Sequence, residues 1–383
     1  MVWYYSCDSH VVEPPEVFAG LEEEFGSQRA LRIVHQWRGR EGVFLLFSRV
    51  NVAVPVARFG IAGSRLDDPK TQERILGGWE AMNPGVRDPA ARLKEQEADG
   101  IVGEVMYPSL NMLTFSYPDR EVVWAVFRRF NDWLHDYCSH APQRLIGTAA
   151  LPLSDVEEAV QELYRVAKKG VRGVMIPCSA PPDKPYSHPD YEPFWAAAEE
   201  VGLPITMHIF CGATWDMGLP AHWRPPSGIA AYALAHAAIG ATLVQLICGG
   251  VAERHPRLRF VCAEWETGWL AHFLRRLDWA AYRERAEAAP DLKMEPSLYF
   301  RRQFYATFED DDIGILTRHL IGVENLMWGN DYPHHDSIWP RSRQVLAEIM
   351  QGVPEGEQER MVWGNVRDLY GIDQEALRRE LAA

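Results

Sequence analysis

Short apolar runs recur along the chain, spaced so that a helix fits between most neighbours. Eight stand out: VWYYSCDSH (2–10), IVGEVMYPS (101–109), RLIGTAALPL (144–153), VRGVMIPC (171–178), LPITMHIF (203–210), RLRFVCAE (257–264), QFYATFED (303–310) and NLMWGNDYPH (325–334). They read as buried strands. Several intervening segments repeat apolar residues at i, i+3 and i+4. DVEEAVQELYRVAKKG begins after Ser154 and stops at Gly170, with DREVVWAVFRRFNDWLHDYC and DYEPFWAAAEEVG following the same rule. Strand alternating with helix predicts an α/β protein with a parallel sheet. Eight such units predict a (β/α)8 TIM barrel. A doubly wound sheet is the alternative, but no G-x-G-x-x-G or Walker loop follows the first strand.

Residues 18–90 break the alternation. RIVHQWRGREGVFLLFS reads as a hairpin around Gly39–Gly42, followed by a proline- and glycine-rich excursion to Pro89. This is an inserted segment after strand one, expected to cap one barrel end. A second long loop, CGATWDMGLPAHWRPPSG (211–228), carries Trp215, His222 and Trp223 and is expected to face substrate. No linker splits the chain, so residues 1–383 are expected to form a single domain.

Composition narrows the class. Of 383 residues, 47% are apolar and 24% charged, with a net charge of −14. Ample chain exists for a large core, and no basic stripe interleaved with aromatics suggests a nucleic-acid partner. The N-terminus lacks a signal-peptide pattern, and six scattered cysteines form no C-x-x-C motif. Both point to a reducing, cytoplasmic setting. The uncharged stretch from Gly228 to Ala252 contains His236 and Gln245 among alanines and glycines. It reads as a buried helix pair rather than a membrane span.

The polar residues at the predicted strand ends carry the chemistry. Asp8 and His10, at i and i+2, project from one face of the first strand. His208 ends the fifth, Glu264 the sixth and Glu309 to Asp312 the seventh, while Asp331, His334 and His335 end the eighth. In a barrel these C-terminal ends converge. Imidazole and carboxylate together suit zinc, iron or manganese. Such a metal lowers the pKa of bound water and polarises a carbonyl, with Asp331 as ligand and proton acceptor. Taken singly, each residue has a plainer reading: a polar strand exit for Asp8 and His10, a core histidine for His208, a helix cap for Asp331 and loop surface for His334. Their conjunction at three strand ends favours the metal.

Three segments carry a resemblance: CDSHVVEP at the start, LICGGVAERHPRLRFVCAEWETGWLAHFLRRLD in the middle, and MWGNDYPHHDSIWP near the end. With these the sequence resembles the amidohydrolase superfamily, and within it the amidohydrolase-2 group that includes aminocarboxymuconate-semialdehyde and γ-resorcylate decarboxylases. The resemblance runs from Asp8 to Tyr370. It implies that Asp8, His10, His208 and Asp331 hold a divalent metal. Superfamily members with two metals often bridge them with a lysine of the fourth strand, and VRGVMIPC has none, so one metal is expected. At Glu264 the chain departs from the decarboxylases, which carry histidine there. Glu264 is either an extra ligand or a structural carboxylate bonded to a neighbouring strand or to Arg275 or Arg276. With Glu13 and His334 it would complete a second metal site. The implied activity is a metal-dependent hydrolase or lyase acting on a small carboxylated substrate, with Asp331, Glu264 and His334 catalytic. Two alternatives stay open: a dinuclear iron or manganese oxygenase, and a metal-containing partner subunit of a hetero-oligomeric enzyme. Trp215 and Arg341 are candidates to bind substrate, Arg341 as a fork for a carboxylate. A homo- or hetero-oligomer is the family expectation.

Overall fold

The computed structural model describes residues 3–212, 228–284 and 292–382. The chain forms two compact units, each assembled from separate stretches. One takes Tyr4–Ala150, Gly329–Val345 and Asp373–Ala383; the other takes Met1–Trp3, Leu151–Trp328 and Leu346–Ile372.

The first unit opens with β1 (Tyr5–His10), buried at every position. Next come β2 (Leu31–Trp37), β3 (Arg40–Phe47) and β4 (Val52–Pro55), an antiparallel sheet in that order. The expected hairpin is β2–β3. Its two turn residues, Arg38 and Gly39, both have positive φ, at 46° and 79°, the backbone that matches the twist of a two-residue hairpin. Sequence patterning missed β4, a four-residue strand with only one neighbour. Two further parallel strands, β5 (Gly103–Tyr107) and β6 (Leu145–Ala150), complete the unit, β5 pairing with both β1 and β6. The β5–β6 crossover is the helix Arg120–Cys138. Asp119 caps it, and Val122, Val126, Phe127, Phe130 and Leu134 form its buried stripe.

Residues 329–333 return to β1. The amide of Asp331 donates to the Asp8 carbonyl at 2.9 Å, and that of His10 donates to the Tyr332 carbonyl at 2.6 Å. The approach is so close that a Cβ on Gly329 would lie 2.3 Å from the Asp8 Cβ and 2.9 Å from its amide nitrogen. Only glycine fits there.

Glu13 follows β1 and is fully buried. Its carboxylate accepts from the amides of Leu110 and Asn111 at 2.8 and 2.9 Å, at the start of the short helix Leu110–Ser116. Burial pushes its carboxyl from the usual 4.5 to about 7, against the lowering effect of the backbone amides. Both oxygens of Glu13, expected to serve a second metal, accept from the backbone amides of the loop after β5, and Glu13 is not among the side chains that gather as candidate ligands.

The second unit holds β7 (Gly173–Ile176), β8 (Ile205–His208), β9 (Phe260–Ala263), β10 (Phe304–Phe308) and β11 (Leu326–Trp328), paired in parallel in that order. The helix Val156–Lys169 is capped by Asp155 and ends at Gly170 in the left-handed region. All eight expected strands are thus present, but β11 stops at Trp328 instead of running to His334. The uncharged stretch forms the helices Gly228–Leu234 and His236–Cys248 and runs into a third, Val251–Arg254. Residues 230–248 are long and apolar enough to cross a membrane. The burial of Ile239, Leu243, Leu246 and Ile247 along one face is that of a core helix.

Two outcomes follow. Replacing Gly329 with Ala forces the Asp8 backbone aside and costs about 1–3 kcal/mol or more, read by urea denaturation; an unchanged midpoint would contradict the close approach. For Glu13 the raised folded pKa sets the sign. Its contribution to stability is fully present below pH 4.5 and is lost as pH rises to about 7, a total of about 3 kcal/mol. Glu13→Gln should therefore gain on the wild type between pH 4.5 and 8, and a gap independent of pH would refute the shift.

Candidate metal centre

Where β1 ends, three polar side chains meet in a buried cluster. Asp8, His10 and Asp331 are 3%, 0% and 1% exposed. His10 Nδ1 lies 2.8 Å from the Pro108 carbonyl oxygen. A carbonyl only accepts, so Nδ1 carries hydrogen and Nε2 is the ligating nitrogen. That Nε2 lies 3.1 Å from Asp331 Oδ1 and 3.6 Å from Asp8 Oδ1. Two buried carboxylates directed at one imidazole nitrogen require a positive charge among them, either a proton or a metal ion. The donor set therefore fits a divalent cation.

His334 completes this side. Its Nδ1 lies 2.9 Å from Asp331 Oδ1, and its Nε2 lies 3.0 Å from Ser109 Oγ. Since a carboxylate only accepts, Nδ1 donates to Asp331 and Nε2 accepts from the serine hydroxyl. The ring stacks on His10 with centroids 3.9 Å apart, and Phe59 from the inserted segment meets it edge-on at 6.0 Å. The ligand atoms of His10, Asp331 and His334 lie within 4.8 Å of one another.

In the second unit, the end of β8 presents His208, fully buried. Its Nδ1 lies 3.0 Å from the Ile209 carbonyl oxygen, so its Nε2 is likewise the ligating atom. That atom lies 3.4 Å from Glu264 Oε2. Glu264 follows β9 with φ at +59°, its amide donating to Thr307 Oγ1 at 2.8 Å. Six non-glycine residues among those described have positive φ. Four of them, Phe210, Glu264, Glu266 and Asp331, lie within three residues of a parallel-strand end. Such backbone persists where the surroundings impose it, often at functional sites.

Other expectations are redistributed. Arg341 is exposed at the start of the helix Ser342–Ile349. Trp215, His222 and Trp223 lie outside the described residues. Two further tryptophans bind the framework, Trp265 donating to the Met207 carbonyl and Trp339 to the Glu95 carbonyl. Ser109 was missed, although a polar residue closing the run IVGEVMYPS is the signal that singled out His208 and Glu264.

Comparison with known proteins supports a family assignment. The amidohydrolase family model (Amidohydro_2) matches residues 65–372. The γ-resorcylate decarboxylase of Rhizobium radiobacter is 28% identical over 313 residues, covering 74% of this chain and 86% of that one. An amidohydrolase from Mycobacterium avium subsp. paratuberculosis superposes with a TM-score of 0.77 at 22% identity, over 97% of this chain and 99% of that one. The 5-carboxyvanillate decarboxylase of Novosphingobium aromaticivorans, in complex with manganese and 4-hydroxy-3-methoxy-5-nitrobenzoic acid, gives 0.68 at 18% identity, over 97% and 96% of the two chains. The fold is the (β/α)8 TIM barrel. The family model spans most of the chain, including the ends of the parallel strands β5 to β11 but not that of β1. The chain belongs to the amidohydrolase family.

Proposed function

We propose that the protein is a metal-dependent lyase that decarboxylates a small hydroxylated aromatic carboxylate. One observation carries this reading: His10, its tautomer fixed by the Pro108 carbonyl, directs Nε2 at the carboxylates of Asp8 and Asp331. Asp8, His10, His208 and Asp331 would hold one divalent metal, with zinc, iron and manganese all suited to the donors. Manganese has the support of the Novosphingobium relative, which was solved with it. When bound, such an ion polarises the oxygens of a carboxylated substrate and offsets the negative charge of the buried carboxylates.

The chain's own residues move the proton. Decarboxylation breaks the bond between ring and carboxylate, releases carbon dioxide, and places a proton on the ring carbon. His334 Nδ1 donates to Asp331 Oδ2 at 3.1 Å, so a proton passes between them without displacement of either side chain. Ser109 holds the far nitrogen of His334 at 3.0 Å and fixes the ring's orientation. Glu264 cannot act as a cationic acid where the decarboxylases carry histidine, which leaves proton delivery to the Asp331–His334 pair. Its 3.4 Å approach to His208 Nε2 favours a second reading, an additional carboxylate donor as in a dinuclear oxygenase. With Glu13 engaged by backbone amides, that second site lacks one expected ligand, and one metal is favoured.

We place the enzyme in the cytoplasm, an inference supported by its six free thiols. We take its partner to be a small molecule, with neither nucleic acid nor membrane. Exposed apolar side chains such as Tyr282 and Leu316 support assembly into an oligomer.

The test is carbon dioxide release from a panel of ortho-hydroxybenzoates with manganese supplied, alongside hydrolysis of amides, esters and lactones. Release from at least one hydroxybenzoate is expected, with Asp331→Asn lowering it by about 10²–10⁴. Hydrolysis without any decarboxylation, or an Asp331→Asn variant at wild-type rate, would overturn the proposal.

A further inference from the structure

The helix Pro89–Asp99 turns its polar side inward. Arg92, Gln96 and Asp99, at i, i+4 and i+7, are its buried residues. A buried polar stripe costs desolvation, which hydrogen-bonded and charged partners must offset. Arg92 is fully buried. Its Nε donates to Glu104 Oε2 at 2.6 Å, its Nη1 to the His10 carbonyl at 2.8 Å, and its Nη2 to the Tyr332 carbonyl at 3.4 Å. The guanidinium carbon also stands 4.4 Å from the Tyr332 ring centroid. Gln96 donates to the same Glu104 oxygen at 2.8 Å, and Asp99 accepts from Asn330 Nδ2 at 3.1 Å and from the Ser342 amide at 3.0 Å. Burial opposes the charge on Arg92, and the adjacent Glu104 carboxylate, together with Tyr137 and Tyr332, offsets that cost.

These contacts converge on two backbone segments. His10 is itself a candidate ligand, and Tyr332 is bonded directly to Asp331. We propose that Arg92 is the positioning residue of the metal centre: one planar fork, anchored on Glu104, holds the carbonyls of both ligand-bearing segments at once. The proposal rests on the metal reading given above. A side chain that fixes a ligand's backbone fixes its donor atom, and donor geometry must hold to within about 0.5 Å. Arginine is required because its rigid fork reaches three acceptors in different directions, whereas lysine offers one compact ammonium.

Two variants separate positioning from bulk stability. Arg92→Lys keeps the charge and loses the fork. Arg92→Met combined with Glu104→Gln removes both charges, so no buried charge is left without its partner. A third, Phe127→Leu, lowers stability from the buried face of the helix Arg120–Cys138 and serves as control. Three quantities are read on each: manganese affinity by chelator competition, thermal midpoint, and hydrogen exchange of the His10 amide in metal-free protein. Both Arg92 variants should lose about 10–100-fold in manganese affinity, and exchange at His10 should accelerate. Phe127→Leu should keep wild-type affinity at a comparable loss of midpoint. Affinity within twofold of wild type in both Arg92 variants, with exchange at His10 unchanged, would overturn the proposal. A wild-type protein that binds no manganese would defeat the metal reading. Exchange at His10 would then decide alone: acceleration supports the clamp and no change refutes it.

Discussion

A buried imidazole nitrogen with two carboxylates directed at it is the constraint on which the first unit is built. Water cannot screen charges at 0–3% exposure, and carboxylates taken out of water are costly unless matched. The cluster at His10 therefore demands a positive charge, and the surrounding chain is arranged to keep the donors in place. Pro108 fixes the tautomer, the His10 amide ties itself to Tyr332, and Gly329 lets the returning segment pass against Asp8. Behind these stand Ser109 and the buried stripe of the helix Pro89–Asp99. In the second unit His208 shows the same economy on a smaller scale, with a backbone carbonyl holding one nitrogen and a carboxylate facing the other.

The strand ends were legible because burial in a parallel sheet leaves a simple signature. A near-continuous apolar run ending in histidine or acid has few structural explanations, so Asp8, His10, His208, Glu264 and Asp331 could be singled out. The eighth strand was read too long because the turn-forming residues Gly329, Asn330 and Asp331 were counted into the apolar run. Its end is set by tertiary contacts, since Gly329 must approach Asp8 and Asp331 must adopt a left-handed backbone. Glu13 looked like a ligand because only its proximity in sequence to His10 was visible. Its amide partners, Leu110 and Asn111, lie nearly a hundred residues away.

Arg92 illustrates the opposite case. In PAARLKEQEAD the arginine sits among lysine and glutamates, and polar residues at i, i+4 and i+7 read as a solvated face. Glu104, in the apolar run of β5, was the one sequence hint that an opposite charge would be needed inside. Ser109 closes a strand run as His208 does, but a hydroxyl is too common at strand exits to be distinguished without its partner.

The central claim is that the His10 cluster exists to hold a divalent metal. The most direct measurement is metal per chain, by elemental mass spectrometry, on protein equilibrated with manganese and then desalted, for wild type and His10→Ala in parallel. One metal ion per wild-type chain, with nearly none in folded His10→Ala, is the predicted result. No retained metal in the wild type, or the same amount in both proteins, would contradict it.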